Sequence, residues 1–401
     1  MSYTQVKLPE QETEFEPREP IRILHAVGGM NRGGIETWLM HILQHIDRDR
    51  FQMDFLVHTN DPCDYDEQVR ALGSRIIPCP EAHKPWIYSG KLKRILREYG
   101  PYDIVHSHLH HFSGYILRLA KQAGVPTRIS HSHNDTAANQ AKAGFKRRLY
   151  LKLMRSWIDR YANAGLACSH KAAASFFGTD WASDSRWQAL YYGIDLKPFQ
   201  AEIDAIALKN QLGIPEDAFV IGHVGRFVEQ KNHQFLVEIV AEVAKREPKT
   251  RLLLIGDGKL RSQIEGKAAL FGLRDKTIFA GIRSDVPQLM QIMDTFLLPS
   301  LFEGLGLVLI EAQAAGTACI FSDVIPQEVD LVPPLMQRLP LSQSPSEWAE
   351  ALLAQQAKVK MTRKDAFTQV EASIFNIESA VTRLENIYQA QVAKSKNGGG
   401  K

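Results

Sequence analysis

Two carboxylates, Glu303 and Glu311, lie eight positions apart in a segment whose other residues are mostly small or apolar. We expect Glu303 in a glycine-containing loop after a strand, and Glu311 about one turn into a helix that begins near Leu307. Burying an unpaired carboxylate is costly, so Glu311 needs a polar partner. The two hydroxyls of a ribose would satisfy it, and a salt bridge to a neighbouring arginine is the structural alternative.

Two cations, Arg226 and Lys231, follow the apolar run 219–225, which predicts a strand, and precede a helix that Asn232 could cap. In open parallel sheets, ligands bind at the carboxyl ends of the strands, where helix N-termini present free N–H groups. The two cations could therefore bind a diphosphate. An ordinary solvated loop between a strand and a helix is the alternative.

The glycine-rich segment 28–34 also joins a predicted strand, 21–27, to a helix. Its glycines would let the backbone approach a ligand closely, although a tight turn explains them equally well. The segment lacks the GK[ST] ending of an NTPase phosphate loop and the GxGxxG spacing of dinucleotide enzymes. This argues against an ATPase and against a nicotinamide-dependent enzyme.

Length and composition exclude several classes of protein. A chain of 401 residues exceeds what one hydrophobic core usually serves, so two domains are expected. The net charge of +3 argues against nucleic-acid binding, and 4 cysteines without a CxxC pair suit a reducing cytoplasm. The N-terminus lacks the pattern of a secretory signal, and no apolar run reaches the roughly 18 residues that cross a bilayer. We therefore expect a cytoplasmic protein that does not cross a membrane.

Short apolar runs alternate with segments of helical period, which is typical of parallel sheets covered by helices. The rhythm restarts after an interruption near 191–199, so we expect an α/β protein with two doubly wound, Rossmann-like domains. Strands are predicted at 21–27, 51–58, 75–77, 103–108, 127–133, 164–169, 219–225, 251–256, 277–281, 295–300 and 318–323. The expected divisions are a flexible leader (1–20), two domains (21–195 and 196–373), a closing helix (374–392) and a flexible tail (393–401).

Several motifs together resemble family 4 of the retaining nucleotide-sugar glycosyltransferases: GGMNRGG, GRFVEQKN, IGDG and EGLGLVLIE. The segments HSHND (131–135) and SDVIPQEVDL (322–331) resemble its exopolysaccharide and capsule branch. The resemblance covers residues 21 to about 388. It implies the GT-B architecture, in which two Rossmann-like domains face each other across a cleft and a C-terminal helix closes the fold. It also implies that a hexosyl or N-acetylhexosaminyl group moves, with retention of configuration, from a UDP-linked donor to a glycan or lipid-linked acceptor in surface polysaccharide synthesis.

The resemblance implies roles for individual residues. Arg226 and Lys231 would bind the donor diphosphate and act in catalysis, Glu311 would bind the ribose, and Glu303 would contact the donor sugar. A histidine at a strand end would face the sugar, and His131 and His133 both fit, with His133 slightly favoured. The remaining donor contacts would come from Gly33, Gly34, Phe279, Ile282, Gly304, Leu305 and Gly306.

We expect neither a metal nor another cofactor, because two cations and a helix N-terminus can stabilise the charge that grows on the departing diphosphate. The acidic pair Asp64 and Asp66 lacks a strand-end context and is interpreted as part of a solvated loop. The run 106–111 could place three histidines on one face of a strand, and a zinc hydrolase is a minor alternative. No carboxylate of the first half is marked as a nucleophile, Asp135 being the nearest, so front-face attack assisted by the leaving phosphate is favoured.

Two basic segments, 91–100 and 142–160, predict helices that could lie on anionic lipid headgroups. In the alternative, the second helix is solvated and turns the stripe Phe145, Leu149, Leu153 and Trp157 towards the core. The basic residues proposed to face a membrane or an acceptor are Lys146, Arg147, Arg148 and Lys152. The hypothesis is peripheral attachment to the inner membrane face. A nucleotide-sugar epimerase and a non-catalytic nucleotide-sugar-binding protein are the alternative functions.

Overall fold

The computed structural model describes residues 19–133, 144–358 and 361–398. These residues form two parallel sheets, one of 7 strands in the order β3-β2-β1-β4-β5-β6-β7 and one of 6 in the order β10-β9-β8-β11-β12-β13. The first sheet comprises β1 (Ile21–Val27), β2 (Phe51–Val57), β3 (Ile76–Pro78), β4 (Ile104–Ser107), β5 (Thr127–Ser132), β6 (Ala164–Ala167) and β7 (Trp187–Ala189). The second comprises β8 (Phe219–Val224), β9 (Thr250–Ile255), β10 (Thr277–Gly281), β11 (Thr295–Leu298), β12 (Ala318–Ser322) and β13 (Met336–Leu339).

All of the predicted strands are confirmed within one or two residues, and the two doubly wound sheets confirm the expected α/β class. Central strands are buried on both faces and therefore appear in the sequence as unbroken apolar runs. The sequence prediction missed β7 and β13, which lie at the edges of the two sheets. Each is only three or four residues long and partly polar, so neither produces such a run.

Helices cover the faces of both sheets. Those of the first half are α1 (Gly34–His45), α2 (Asp66–Ala71), α3 (Pro85–Glu98), α4 (Ser113–Gln122), α5 (Phe145–Tyr161) and α6 (His170–Phe177). Those of the second half are α7 (Lys197–Gln200), α8 (Ala205–Gln211), α9 (His233–Arg246), α10 (Arg261–Leu270), α11 (Val286–Met290), α12 (Leu307–Ala314), α13 (Pro345–Lys358), α14 (Arg363–Glu371) and α15 (Ile377–Gly398).

The last helix, α15, follows the second sheet in sequence but packs on the first. It contacts α1 and β5, and the Tyr388 hydroxyl lies 2.8 Å from Nδ1 of His106 on β4. The sequence placed a helix at 374–392, whereas α15 begins at Ile377 and continues to Gly398. Of the predicted leader and tail, residues 1–18 and 399–401 lie outside the described residues.

Candidate active site

Lys231 and Glu303 form an ion pair that joins the loops after β8 and β11. Lys231 ends a short 3-10 turn (Glu229–Lys231), and its Nζ lies 2.7 Å from Oε1 of Glu303. The amide of Gln230 donates to the other carboxylate oxygen at 3.1 Å and to the carbonyl of Phe302 at 2.9 Å. Because β8 and β11 are neighbours in the second sheet, the pair lies at the carboxyl edge where a ligand is expected.

The prediction that Asn232 caps α9 is wrong. Asn232 adopts the left-handed conformation, with φ of 53°, and its side chain makes no capping hydrogen bond. Its amide instead donates to the carbonyl of Pro299 at 3.1 Å. Asn232 thus gives the two loops a second link, next to the Lys231 pair.

Glu311 lies about one turn into α12, as predicted, and only part of its side chain is exposed. Burial raises the pKa of its carboxyl to about 7, and the nearby charge of Lys231 opposes that rise. Among the described residues Glu311 forms no ion pair, so the arginine salt bridge considered as its alternative partner is not found there. A carboxylate in this setting is suited to accepting hydrogen bonds from ligand hydroxyls.

The glycine-containing loop 304–306 leads from Glu303 into α12, so the N-terminus of this helix lies close to Glu303. Gly306 precedes α12 with φ of 93°, a conformation that L side chains rarely adopt. Gly304, Leu305 and Gly306 are buried against the protein. The free N–H groups at the start of α12 favour an anion at this position.

Glu36 on α1, which the sequence analysis missed, is a carboxylate of the first half of the chain that lies near Arg226 of the second half. Gly33 precedes α1, which begins at Gly34, and a Cβ on Gly33 would meet Oε2 of Glu36 at 2.5 Å. Burial raises the pKa of Glu36, and the charge of Arg226 from the second half lowers it. Arg226 itself is exposed. A glutamate three residues after a helix boundary is a known helix-start signal and could have drawn attention to it.

Three consecutive residues at the start of α6 connect the two halves. Ser169 caps α6, accepting from the N–H of Ala172 at 3.1 Å, and donates its hydroxyl to the carbonyl of Gly304 at 2.6 Å. The N–H of His170 donates to Glu328 at 3.0 Å, and Nζ of Lys171 donates to the carbonyl of Val324 at 2.9 Å. The sequence signal was a serine at a helix boundary, but its partner across the cleft could not be inferred.

Phe279 and Ile282, predicted to line the base, lie at the carboxyl end of β10. Phe279 is partly buried beside Phe227, with ring centroids 6.2 Å apart, and Ile282 is exposed. Both positions flank Gly281, whose carbonyl accepts from the N–H of Gly256 at 2.8 Å. The segment therefore lies at the ligand-binding edge of the second sheet.

The side chains of His131 and His133 are not exposed at the surface of the cleft. Both are buried, and with His25, His106 and His108 they form what we call the histidine cluster on one face of the first sheet. Nε2 of His133 lies 2.9 Å from Nδ1 of His108, while its Nδ1 contacts the Tyr192 hydroxyl. Burial lowers the pKa of His133 to about 3 and that of His131 well below its ordinary value. Both rings are therefore neutral.

The structure also bears on three further residues from the sequence analysis, namely His110, Asp66 and Asp135. His110 does not share the face of His106 and His108, because β4 ends at Ser107 and His110 begins a 3-10 turn. Asp66 is buried rather than solvated and accepts from the N–H of Cys63 at 3.2 Å, so the solvated-loop interpretation is wrong for it. Asp135 lies outside the described residues.

The predicted basic helix is confirmed as α5, but its apolar stripe does not face the core as the alternative required. Phe145, Leu149 and Leu153 are 83%, 61% and 45% exposed. Trp157, the fourth residue of the stripe, is partly buried and stacks on Tyr115, and the buried residues of α5 are Met154 and Ile158. Lys146, Arg147, Arg148 and Lys152 are also exposed. No helix in the described parts of the chain combines the length and apolarity that a membrane span needs.

Comparison with known proteins decides the family. Residues 32–197 match the family described as Glycosyltransferase Family 4, and residues 204–352 match Glycosyl transferases group 1. The glycosyltransferase candidate EpsF of Bacillus subtilis (strain 168) is 37% identical over 382 residues, which cover 94% of this chain and 98% of EpsF. The chain belongs to glycosyltransferase family 4.

Two further proteins resemble this glycosyltransferase, one in structure and one in sequence. Anabaena HepE, solved in complex with UDP-glucose, superposes with a TM-score of 0.75 at 18% identity, covering 92% of this chain and 100% of HepE. This likeness confirms the GT-B fold. The Escherichia coli UDP-Gal:alpha-D-GlcNAc-diphosphoundecaprenol alpha-1,3-galactosyltransferase is 29% identical over 232 residues, 56% of this chain and 58% of that protein.

Proposed function

We propose that this glycosyltransferase moves a hexosyl or N-acetylhexosaminyl group, with retention of configuration, from a UDP-linked donor to a glycan or lipid-linked acceptor in surface polysaccharide synthesis. The observation that carries the proposal is the convergence of Lys231, Glu303 and Glu311 at the carboxyl edge of the second sheet. Lys231 pairs with Glu303 at 2.7 Å and is close enough to Glu311 to lower the pKa of its carboxyl.

Each group of the site has a part in donor binding. Lys231 and Arg226 would bind the diphosphate together with the N–H groups at the start of α12. The Glu311 carboxylate would accept hydrogen bonds from two ribose hydroxyls, and Glu303 would contact the sugar beside Lys231. The backbone near Phe279 and Ile282 would line the base, while Gly33 and Gly34 would approach the donor from the first sheet. The role of His131 or His133 at the sugar stays a prediction.

The relatives support the donor and acceptor classes. HepE was solved with UDP-glucose, and the E. coli galactosyltransferase is named for a UDP-linked donor and a diphosphoundecaprenol-linked acceptor. Because that enzyme aligns with only 56% of this chain, it supports a class of substrate and not a particular sugar.

For the chemical step we propose front-face attack without a metal. Negative charge grows on the departing diphosphate, where Arg226, Lys231 and the α12 N-terminus can stabilise it. The leaving phosphate would take the proton of the acceptor hydroxyl on the same face of the sugar, so that configuration is retained. Glu36 is a first-half carboxylate close enough to Arg226 for their charges to interact, and it is a candidate nucleophile for the alternative, a double displacement.

A panel of UDP-sugars tests the proposal. The purified protein is incubated with each donor, and release of UDP, formation of glycoside and formation of an epimer are measured separately, with and without a chelator. We expect one donor to raise the Tm and to give a product whose anomeric configuration, determined by NMR, matches the donor. An inverted product would refute retention, and epimer formation without transfer would refute the transferase assignment.

We also propose that α5 lies on anionic lipid at the inner membrane face. Apolar Phe145 and Leu149 are exposed beside basic Lys146 and Arg147, a combination that suits a surface helix at a headgroup layer. Trp86 on α3 is also 82% exposed, and α4 contacts both α3 and α5. Both α3 and α5 therefore pack on α4, and each carries an exposed large apolar side chain.

Vesicle flotation tests this surface. Binding to phosphatidylglycerol vesicles should fall at least about tenfold when Arg147, Arg148 and Lys152 are all changed to Glu, since each basic residue near an anionic surface contributes about 1 kcal/mol. The control changes the exposed residues Lys364, Lys394 and Lys396 to Glu and should float like the unchanged protein. Equal flotation of both variants would refute the assignment.

A further inference from the structure

The histidine cluster is built from three neighbouring strands. His25 on β1 is the register partner of His106 on β4, and alternate residues of a strand share a face, which places His108 on the same side. His131 and His133 come from the end of β5, the next strand. All five rings are at least nine-tenths buried, so the cluster is part of the interior of the first sheet.

Three of these rings converge on one point. One ring nitrogen from each of His108, His131 and His133 lies within 4.8 Å of the other two. The facing atoms of His108 and His133 are Nδ1 and Nε2, 2.9 Å apart. Nε2 of His131 is buried and has no hydrogen-bond partner among the described residues. Small shifts of the rings would place three nitrogens about 2.0–2.1 Å from a single first-row ion.

The second nitrogen of each ring already has a partner. Nδ1 of His133 contacts the Tyr192 hydroxyl, Nδ1 of His131 lies 3.2 Å from Nε2 of His106, and Nε2 of His108 lies 2.9 Å from Nδ1 of His25. Histidines that bind a metal donate their other N–H to such an acceptor, which fixes the tautomer and the ring orientation. All three rings meet this requirement at once.

The chemistry of the cluster selects the type of ion. Burial keeps the imidazoles neutral, and a neutral imidazole is the form that coordinates a metal. Among the described residues, no carboxylate is hydrogen-bonded to the cluster. A nitrogen-only set suits zinc and similar transition ions and disfavours Mg²⁺ and Ca²⁺, which prefer oxygen.

We propose that His108, His131 and His133 bind one zinc ion, which clamps the carboxyl ends of β4 and β5 together. The ion would stabilise the first sheet. Zinc bound by both His131 and His133 is the alternative to their predicted role at the donor sugar, and the metal analysis below distinguishes the two. The proposal does not depend on the proposed function, because the diphosphate would be bound by Arg226 and Lys231 from the second half of the chain.

Metal content and spectroscopy test the site. Untagged protein from zinc-supplemented cells should carry about one zinc per chain by mass spectrometry. After removal of the metal by a chelator, titration with Co²⁺ should produce visible absorption bands of Co²⁺ bound by three nitrogens. His108→Gln and His131→Gln should each lose the zinc and the bands, whereas His83→Gln, which changes an exposed histidine outside the cluster, should keep both.

A milder variant keeps the test decisive if the ligand variants fail to fold. Tyr192→Phe preserves all three ligands and removes only the hydroxyl at Nδ1 of His133, and it should weaken zinc affinity about 10- to 100-fold. Zinc should also raise the Tm of the metal-free protein and not that of His131→Gln. Protein without stoichiometric zinc and without Co²⁺ bands would overturn the proposal, as would equal binding by His108→Gln or unchanged zinc affinity of Tyr192→Phe.

Discussion

The ammonium of Lys231 lies 2.7 Å from the carboxylate of Glu303, so the cation expected to hold the donor diphosphate is already paired with the acid expected to contact the sugar. Gln230 completes the arrangement by donating to the second carboxylate oxygen. A bound diphosphate would therefore share Lys231 with Glu303. Under the proposed function, binding of the nucleotide and placement of the sugar would be coupled through the side chain of Lys231.

Variants of this pair should separate binding from turnover. We expect Lys231→Ala to weaken UDP binding about 100-fold, because it removes a cation from the diphosphate. Glu303→Gln should leave UDP affinity within about threefold, since Lys231 is then released from its pair, and should lower kcat about 100-fold. Calorimetry with UDP and steady-state kinetics measure the two effects. An equal loss of UDP affinity in both variants would contradict these roles.

Donor binding should depend on pH through Glu311. Burial raises the pKa of its carboxyl to about 7, and the ionised form accepts hydrogen bonds from two ribose hydroxyls more strongly than the protonated form does. UDP affinity should therefore rise as the pH increases through about 7, and Glu311→Gln should remove this dependence. 2′-Deoxy-UDP is the matched probe: it should bind the unchanged protein more weakly than UDP does, while Glu311→Gln should distinguish the two nucleotides little.

The same pKa predicts a stability effect in the ligand-free protein. A carboxyl whose pKa is raised from 4.5 to about 7 on folding stabilises the folded state when protonated, and this contribution is lost as the pH rises through about 7. Glu311→Gln should therefore increase the free energy of unfolding by about 1–3 kcal/mol at pH 8 and change it little at pH 4. Urea titrations at both pH values measure this. A decrease at pH 8 would show that the carboxylate is stabilised by contacts other than those described.

Substitution of Glu36 tests the proposed front-face attack against a double displacement through this carboxylate. If attack is on the front face, Glu36→Gln should keep kcat within about tenfold, because the carboxylate only adjusts the electrostatics near Arg226. No glycosyl adduct should appear on the intact protein by mass spectrometry. A loss of about 10³-fold or more in kcat, recovered by adding azide as a substitute nucleophile, would instead identify Glu36 as the nucleophile of a double displacement.

Ser169→Ala should affect both stability and donor use. It removes a helix cap, which costs about 1 kcal/mol, and also the 2.6 Å hydrogen bond to the carbonyl of Gly304. Thr362→Ala removes the cap of α14, which makes no such contact with the donor loop, and is the matched control. Ser169→Ala should lose at least as much stability as Thr362→Ala, because it also loses the buried hydrogen bond to Gly304, and only Ser169→Ala should raise the KM for the donor, by about tenfold. Equal kinetics in the two variants would limit Ser169 to capping.

The sequence predicted the fold well because its strands are buried on both faces. β1 and β8, for example, appear as continuous apolar runs, whereas the short edge strands β7 and β13 do not. Strand ends also located Lys231 and Glu311 correctly, since parallel sheets collect their carboxyl ends along one edge.

Contacts between strands that are distant in sequence were not predictable. The Lys231–Glu303 pair joins residues 72 positions apart and exists because β8 lies next to β11. The histidine cluster likewise depends on β1, β4 and β5 being neighbours in exact register. Spacing along the chain could only suggest that the histidines of 106–111 share a strand face, and His110 does not.

The position of α15 has a consequence for synthesis on the ribosome. The helix is translated after the entire second sheet. Its Tyr388 is nevertheless buried against His106, and its Glu385 accepts from the N–H of Asp47, both in the first half of the chain. The nascent first half therefore emerges with an uncovered apolar flank, which stays open while the entire second sheet is made. We therefore expect the nascent chain to be prone to aggregation at that flank until α15 has left the exit tunnel.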